Sequence, residues 1–251
     1  MKISFKNKVV LVTGSSSGIG LSIAKKFVDL NAITLINGRN KQRLIKAKCE
    51  VNAKDFICGD VSDKEISNRI VNDIIKTYGK LDVLVCNVGN GKSVKPNNET
   101  IDEWKKSFQE NFLSASTIIE ASKEALIKSK GVITCVSSIC GIETIINAPI
   151  TYSISKSALN RYIKSISKPL GKLHVRINGV APGNIIFEGS VWEKKLIEEK
   201  RLVKKMLSDE VALQRFGKPE EIANLVGFLS SQYSSFITGQ IVVIDGGQIR
   251  N

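Results

Sequence analysis

Seven short apolar runs rich in Val and Ile recur along the chain: Val9 to Val12, Ile33 to Ile36, Phe56 to Cys58, Val83 to Val85, Val132 to Val136, Val175 to Val180 and Ile241 to Ile244. They are near-continuous, as strands buried on both faces should be. Between them, 18–30, 41–49, 63–78, 101–128, 152–168 and 219–231 carry apolar residues at helical spacing. Alternation of this kind closes into a doubly wound α/β fold: a mostly parallel seven-stranded sheet with helices on both faces and ligand at the carboxyl ends of the strands. No linker, internal repeat or low-complexity tract breaks the 251 residues, so a single domain over 1–251 is expected. Gly14, Gly38, Asp60, Gly89, Ser138 and Pro182 each follow a run, and the fold would gather them along one edge.

Composition removes several classes of function. A formal net charge of +13 raises the question of nucleic acid, a membrane surface or acidic metabolites as partners. The basic residues are dispersed, however, without a helix-turn-helix or aromatic platform, so no nucleic-acid partner is expected. The opening MKISFKNK leads into the first apolar run without a signal segment, and no uncharged apolar stretch reaches the ~18 residues of a membrane helix. The expectation is a soluble cytoplasmic protein with no membrane partner. Five cysteines lack C-x-x-C spacing, and Cys58, Cys86 and Cys135 lie within apolar runs, which reads as reduced core thiols. A single histidine, His174, leaves little material for a metal site or a Ser-His-Asp triad, and no metal is expected.

Two motifs carry chemistry. VVLVTGSSSGIG, residues 9–20, reads as strand, tight turn and helix start. Its Gly14, Gly18 and Gly20 sit where a turn needs permissive backbone, where a diphosphate approaches main-chain N–H groups, and where helix and strand pack closely. Tyr152 and Lys156 stand four residues apart in TYSISK, about one helical turn, so both side chains leave the same face. A free phenol titrates near ~10 and a lysine near ~10.4, and a neighbouring ammonium favours the phenolate, which fits the tyrosine for proton transfer. Either motif alone occurs in purely structural settings; their joint occurrence gives them weight.

With these motifs the chain resembles a short-chain dehydrogenase/reductase, of the single-domain branch that includes 3-oxoacyl-acyl-carrier-protein reductases. The matches run in order from Thr13 to Gly247: the T-G-x-x-x-G-x-G turn, Asp60-Val61, Asn87-x-Gly89, Asn111, Ser138, Tyr152/Lys156, Pro182-Gly183 and RFGKPEEIA…ITGQIVVIDGG. The resemblance implies a Rossmann-type fold and an oxidoreductase interconverting a ketone and a secondary alcohol by hydride transfer. It implies that Ser138 hydrogen-bonds the substrate oxygen, Tyr152 gives or takes its proton, Lys156 lowers the Tyr152 pKa and holds the nicotinamide ribose, and Asn111 supports a water relay to that lysine. Two donors aimed at the oxygen suit the negative charge that builds there as hydride arrives. Ser137 is the rival for the serine role; Ser138 is preferred because S-I-C-G then fits the family's S-x-x-G.

The implied cofactor set is Gly14, Ser16, Ser17, Gly18, Ile19, Gly20, Arg39, Asp60, Val61, Asn87, Gly89, Tyr152, Lys156, Pro182, Gly183 and Ile185. Asp60 and Val61 would flank the adenine, and Asn87 to Gly89 the adenosine ribose. NADP(H) is favoured over NAD(H), because Gly38-Arg39 follows the second run where an NAD enzyme usually carries an acidic residue, and a guanidinium suits a 2'-phosphate. Ser17 counts against it, standing where many NADP-dependent relatives have Arg or Lys. Two positions depart from the family pattern: Val88 replaces the usual Ala, and Phe187 stands where a Thr often meets the nicotinamide amide.

Residues 184–211, with Trp192, Leu196, Val203 and Met206 on an apolar stripe, are expected to form a substrate lid. The C-terminal third is expected to form an interface of a homotetramer, with Leu159, Ile163, Ile166 and the last strand offering the apolar surface. A catalytically silent nucleotide-binding or regulatory protein on the same fold is the rival reading. It sits poorly with the joint presence of Asn111, Ser138, Tyr152 and Lys156. The small-molecule carbonyl or alcohol substrate is not encoded in the motifs.

Overall fold

The structure, a computed structural model, describes residues 2–250. Val9–Val12 (β1), Ile33–Gly38 (β2), Asp55–Cys58 (β3), Val83–Cys86 (β4), Val132–Val136 (β5), Arg176–Pro182 (β6) and Ile241–Ile244 (β7) form one sheet in the order β3-β2-β1-β4-β5-β6-β7. Every pairing between neighbours is parallel, so the sheet is fully rather than mostly parallel. The strand order reverses between β1 and β4, which opens a crevice at the carboxyl ends of those strands.

The helices are Gly18–Asp29 (α1), Lys41–Val51 (α2), Lys64–Tyr78 (α3), Ile101–Phe108 (α4), Ser114–Ser129 (α5), Ile150–Gly171 (α6), Val191–Glu198 (α7), Lys200–Glu210 (α8) and Pro219–Ser230 (α9). Alternate strand residues point to opposite faces, and each face has its own core. Val10, Val12, Val85 and Val180 pack under Phe27 of α1, Leu44 of α2 and Val226 of α9. Leu11, Leu84, Ile133 and Ile177 pack under Ile70 of α3, Ile118 of α5 and Ile163 of α6. The side chains of Asn40, Asp63, Thr100 and Ser190 each accept from the backbone N–H three residues on, which fixes where α2, α3, α4 and α7 begin.

Two helical stretches differ from the sequence expectation. The helix expected over 101–128 is α4 and α5 joined by a π-helical turn, Gln109–Leu113. Within it, Asn111 Nδ2 donates to the Ser107 carbonyl at 3.0 Å and Ser114 Oγ to the Glu110 carbonyl at 2.7 Å, so side chains compete for the helix's own acceptors. The amphipathic stretch within 184–211 is two helices, α7 and α8, which part at Glu199. They rest on a small separate cluster of Val203, Leu207 and Val211, with Leu196, Met206 and Phe216 beside it.

Candidate active site

A cleft of about 960 Å³ opens along the carboxyl ends of β1, β2, β4, β5 and β6. Its first wall is the turn from β1 into α1. Asn87, just after β4, ties that turn down: its Nδ2 donates to the carbonyls of Thr13 and Gly14 at 3.1 and 2.9 Å, and its N–H to Thr13 Oγ1 at 3.0 Å. A Cβ on Gly20 would run into Asn87 and the Gly14 carbonyl, so only glycine lets the strand end, the turn and the helix come this close. Ser17 caps α1 without using its side chain, which leaves the first N–H groups of the helix facing the cleft, as a diphosphate requires. Phe187 lies across this point. Its ring comes within 2.6 to 3.0 Å of where a Gly18 Cβ would stand, so an aromatic ring packs against the turn from the position that a Thr often takes.

The opposite wall carries the proton chemistry. Lys156, 2% exposed on α6, donates from Nζ to the carbonyl of Val136, the last residue of β5, at 2.9 Å. Burial lowers its pKa to about 8. Tyr152, one turn earlier and partly exposed, has its pKa pushed up to about 12; burial is the main cause, the Ser138 hydroxyl pulls the other way, and Cys140 adds to the rise. The Lys156 ammonium lies 6.0 Å from the Tyr152 ring centroid. In this geometry desolvation sets the phenol, and the lowering expected from Lys156 does not prevail. Ser138 lies beyond β5 with its Oγ accepting from Cys140 N–H at 3.2 Å, while the Ser137 hydroxyl is buried without a partner.

Asn111 stands behind this wall. It is 1% exposed and does not line the cleft; its Oδ1 accepts from Asn90 N–H at 2.8 Å. Gly89 joins the two groups: a Cβ placed there would fall 2.9 Å from Lys156 Nζ and 3.2 Å from Asn111 Oδ1. The π turn aims Asn111 at this spot.

At the far end, Arg39 reaches Asp60 at 3.7 Å, and Asp60 accepts from the Ser62 N–H and hydroxyl at 2.9 and 2.8 Å. Arg39 is largely exposed and the separation is long, so the pair is weak and the guanidinium stays available. Arg43, on the first turn of α2, lines the same end. Val61 is buried beside Asp60. Beyond β6, Ile185 forms a bridge to Gly217 that uses the Asn184 carbonyl and the Ile186 N–H, not its own groups.

The fold thus brings Gly14, Ser16, Ser17, Ile19, Gly20, Arg39, Asp60, Val61, Asn87, Gly89, Ser138, Tyr152, Lys156, Pro182, Gly183 and Ile185 to one cleft, with Gly18 under Phe187 and Asn111 behind Asn90. Val88 packs on Gly14. Sequence reasoning missed Arg43, and it placed Asn90 in a pocket-forming stretch, 90–98, without a role of its own. Arg43 had a signal, a second guanidinium four residues beyond Arg39 behind the helix cap Asn40; Asn90 had none beyond following Gly89. Among the described residues no cluster of potential metal ligands exists, and no helix is long and apolar enough to cross a membrane.

A family profile described as enoyl-(acyl carrier protein) reductase matches residues 14–248. The chain is similar to the 3-oxoacyl-[acyl-carrier-protein] reductase of Aquifex aeolicus, at 31% identity over 254 residues covering 98% of this chain and 99% of that protein. It is similar to dehydrogenase/reductase SDR family member 4 of Rattus norvegicus, at 31% identity covering 96% and 87%. Its fold matches that of L-sorbose reductase from Gluconobacter frateurii, solved with NADPH and L-sorbose, with a TM-score of 0.92 at 26% identity over 100% of both chains.

Proposed function

Because the chain belongs to the short-chain dehydrogenase/reductase family, whose oxidoreductases act on CH–OH and ketone groups with nicotinamide cofactors, we propose that it interconverts a ketone and a secondary alcohol with NADP(H), Tyr152 serving as proton donor and acceptor. The observation that carries this reading is the meeting of Ser138, Tyr152 and Lys156 on one wall of the cleft, at the carboxyl end of β5. A bound nicotinamide supplies the hydride. Ser138 and Tyr152 donate hydrogen bonds to the carbonyl oxygen and hold it while charge builds there. A phenol with a pKa near 12 is protonated at neutral pH and ready to give its proton in the reductive direction. Lys156 and Asn111, both above Gly89, re-supply that proton.

The N–H groups at the start of α1 take the diphosphate, and Arg39 with Arg43 takes the 2'-phosphate that marks NADP(H). Residues 184–211 act as the lid. Five unbridged cysteines suit a reducing, cytoplasmic setting. A homotetramer remains the proposed assembly, on altered grounds: Leu159 and Ile163 are buried in the chain's own core, whereas the outer edge of β7 and the fully exposed Phe236 near it are uncovered. Mixing the protein with NADPH and a panel of ketones tests the central claim. Cofactor consumption with equimolar alcohol formation is expected, and a protein that binds NADPH but turns over no carbonyl would be left with the silent, regulatory role.

A further inference from the structure

We infer that the substrate is a ketone borne on an apolar ring system or chain rather than on a polyhydroxylated skeleton, an inference that rests on the reductase reading of this site. Beyond Tyr152 the cleft runs between the loop after Ser138 and the α7–α8 pair. One side presents Ile145, Ile146 and Pro149, and the other Trp192, Leu202 and Met206. Ile146 is 84% exposed and Leu202 64%, although both face the cleft. Large aliphatic side chains left in water on two facing walls gain by covering an apolar body laid between them.

Several polar side chains of this half are already engaged, and the others stand in water. Asn90 donates to Glu110 Oε2 at 3.0 Å and accepts from Lys92 N–H at 3.0 Å. Asn184 donates to Met206 Sδ at 3.5 Å. Ser190 Oγ accepts from the Phe187 and Glu193 N–H groups at 3.3 and 3.1 Å, and the Lys195 ammonium sits 5.0 Å over the Trp192 ring. Asn147, Glu199 and Glu210 are exposed at the margin. The buried oxygens of the lining without partners, Asn37 Oδ1, Ser137 Oγ and Gln248 Oε1, lie in β2 and beside Ser138 and Gly183, not between the apolar walls. A ketone with several hydroxyls would lose water between the apolar walls and find few replacement partners there.

Three ketones separate the possibilities: 1-decalone, bulky and apolar; erythrulose, a ketose that stays open-chain; and butanone, too short to reach the lid. With NADPH, kcat/KM for decalone should exceed that for erythrulose by about 100-fold. Trp192→Ala and Leu202→Ala should each lower kcat/KM on decalone about tenfold more than on butanone. Erythrulose reduced as well as decalone overturns the inference. So does an equal loss on decalone and butanone, which would mark the two residues as structural supports. If the parent reduces none of the three with either NADPH or NADH, the reductase reading itself falls, a failure distinct from a reversed preference.

Discussion

Beneath the cleft, Ser138 just past β5 and Lys156 on α6 have less than a tenth of their surface exposed, each bonded to a backbone group beside it. Across it, α7 buries no residue at all and α8 only Val203 and Leu207. The two regions share one cavity and differ in what holds them. The floor is set by strand ends whose every neighbour is fixed by parallel pairing, so atoms can be held at hydrogen-bond distances. The flap is set by one small apolar cluster and a capping serine, so it is drawn from the low-stability end of the molecule. On the proposed function, the chemistry rests on the first kind of support and the choice of substrate on the second.

Tyr152→Phe is the severest probe of the rigid side. Turnover should fall by about 10²- to 10⁴-fold with NADPH affinity kept within a few-fold, because the ring remains and only the proton is lost. Steady-state rates beside a fluorescence titration of NADPH decide it, and a variant within a few-fold of the parent would remove the proton role from the floor.

The same side should show itself in stability against pH. Lys156 titrates at about 8 when folded and 10.5 when unfolded, so between those values the unfolded chain binds more protons and stability rises with pH. Tyr152 acts oppositely above pH 10, where the folded phenol keeps a proton that the unfolded one loses. Urea unfolding of the parent and of Lys156→Met should therefore show the parent gaining about 2 kcal/mol on the variant between pH 8 and 10. A constant gap would mean that the buried ammonium is not strained by its surroundings.

Arg39→Asp probes the open rim of the floor. NADPH should bind about 10- to 100-fold more weakly and NADH nearly as before, since a charge-assisted bond to phosphate is exchanged for repulsion. Equal affinities of the parent for the two cofactors would count against the choice of NADP(H).

The smallest expected effect concerns the flap. Amide exchange in 191–210 should be faster than in β4 and β5, and should slow several-fold on adding NADPH with a substrate. Exchange that ignores both ligands would mean that the flap is not a lid.

Legibility in the sequence followed the same division. All seven strands lie where Val and Ile runs place them, because a strand covered on both faces has little room for polar residues. The strand-end residues were findable for a related reason: glycines that permit close approach, and hydroxyl, phenol and ammonium groups at fixed spacing, leave a local signature. What escaped depended on contacts that periodicity does not carry, some four residues apart and some between elements. The π turn arises from Asn111 and Ser114 reaching back to helix carbonyls, which periodicity cannot register. The break at Glu199 interrupts a stripe that reads as continuous. Leu159 and Ile163 had the spacing of an interface, and only the packing of α6 on the sheet shows that they belong to the core.

The π turn at Gln109–Leu113 also makes the aim of Asn111 a question of residue count. A π turn holds one residue more than the α-helical turn it replaces, and it takes up that residue locally while α4 and α5 keep nearly the phase of one continuous helix. Deleting one residue between 109 and 113 would restore an unbroken helix with α4 and α5 in nearly their present phase, because the turn absorbs the extra residue locally. The helices would keep their seats, and what would be lost is the widened turn that aims Asn111 at Gly89. The residue count of this turn therefore sets the aim of one side chain and not the packing of the helices on either side of it.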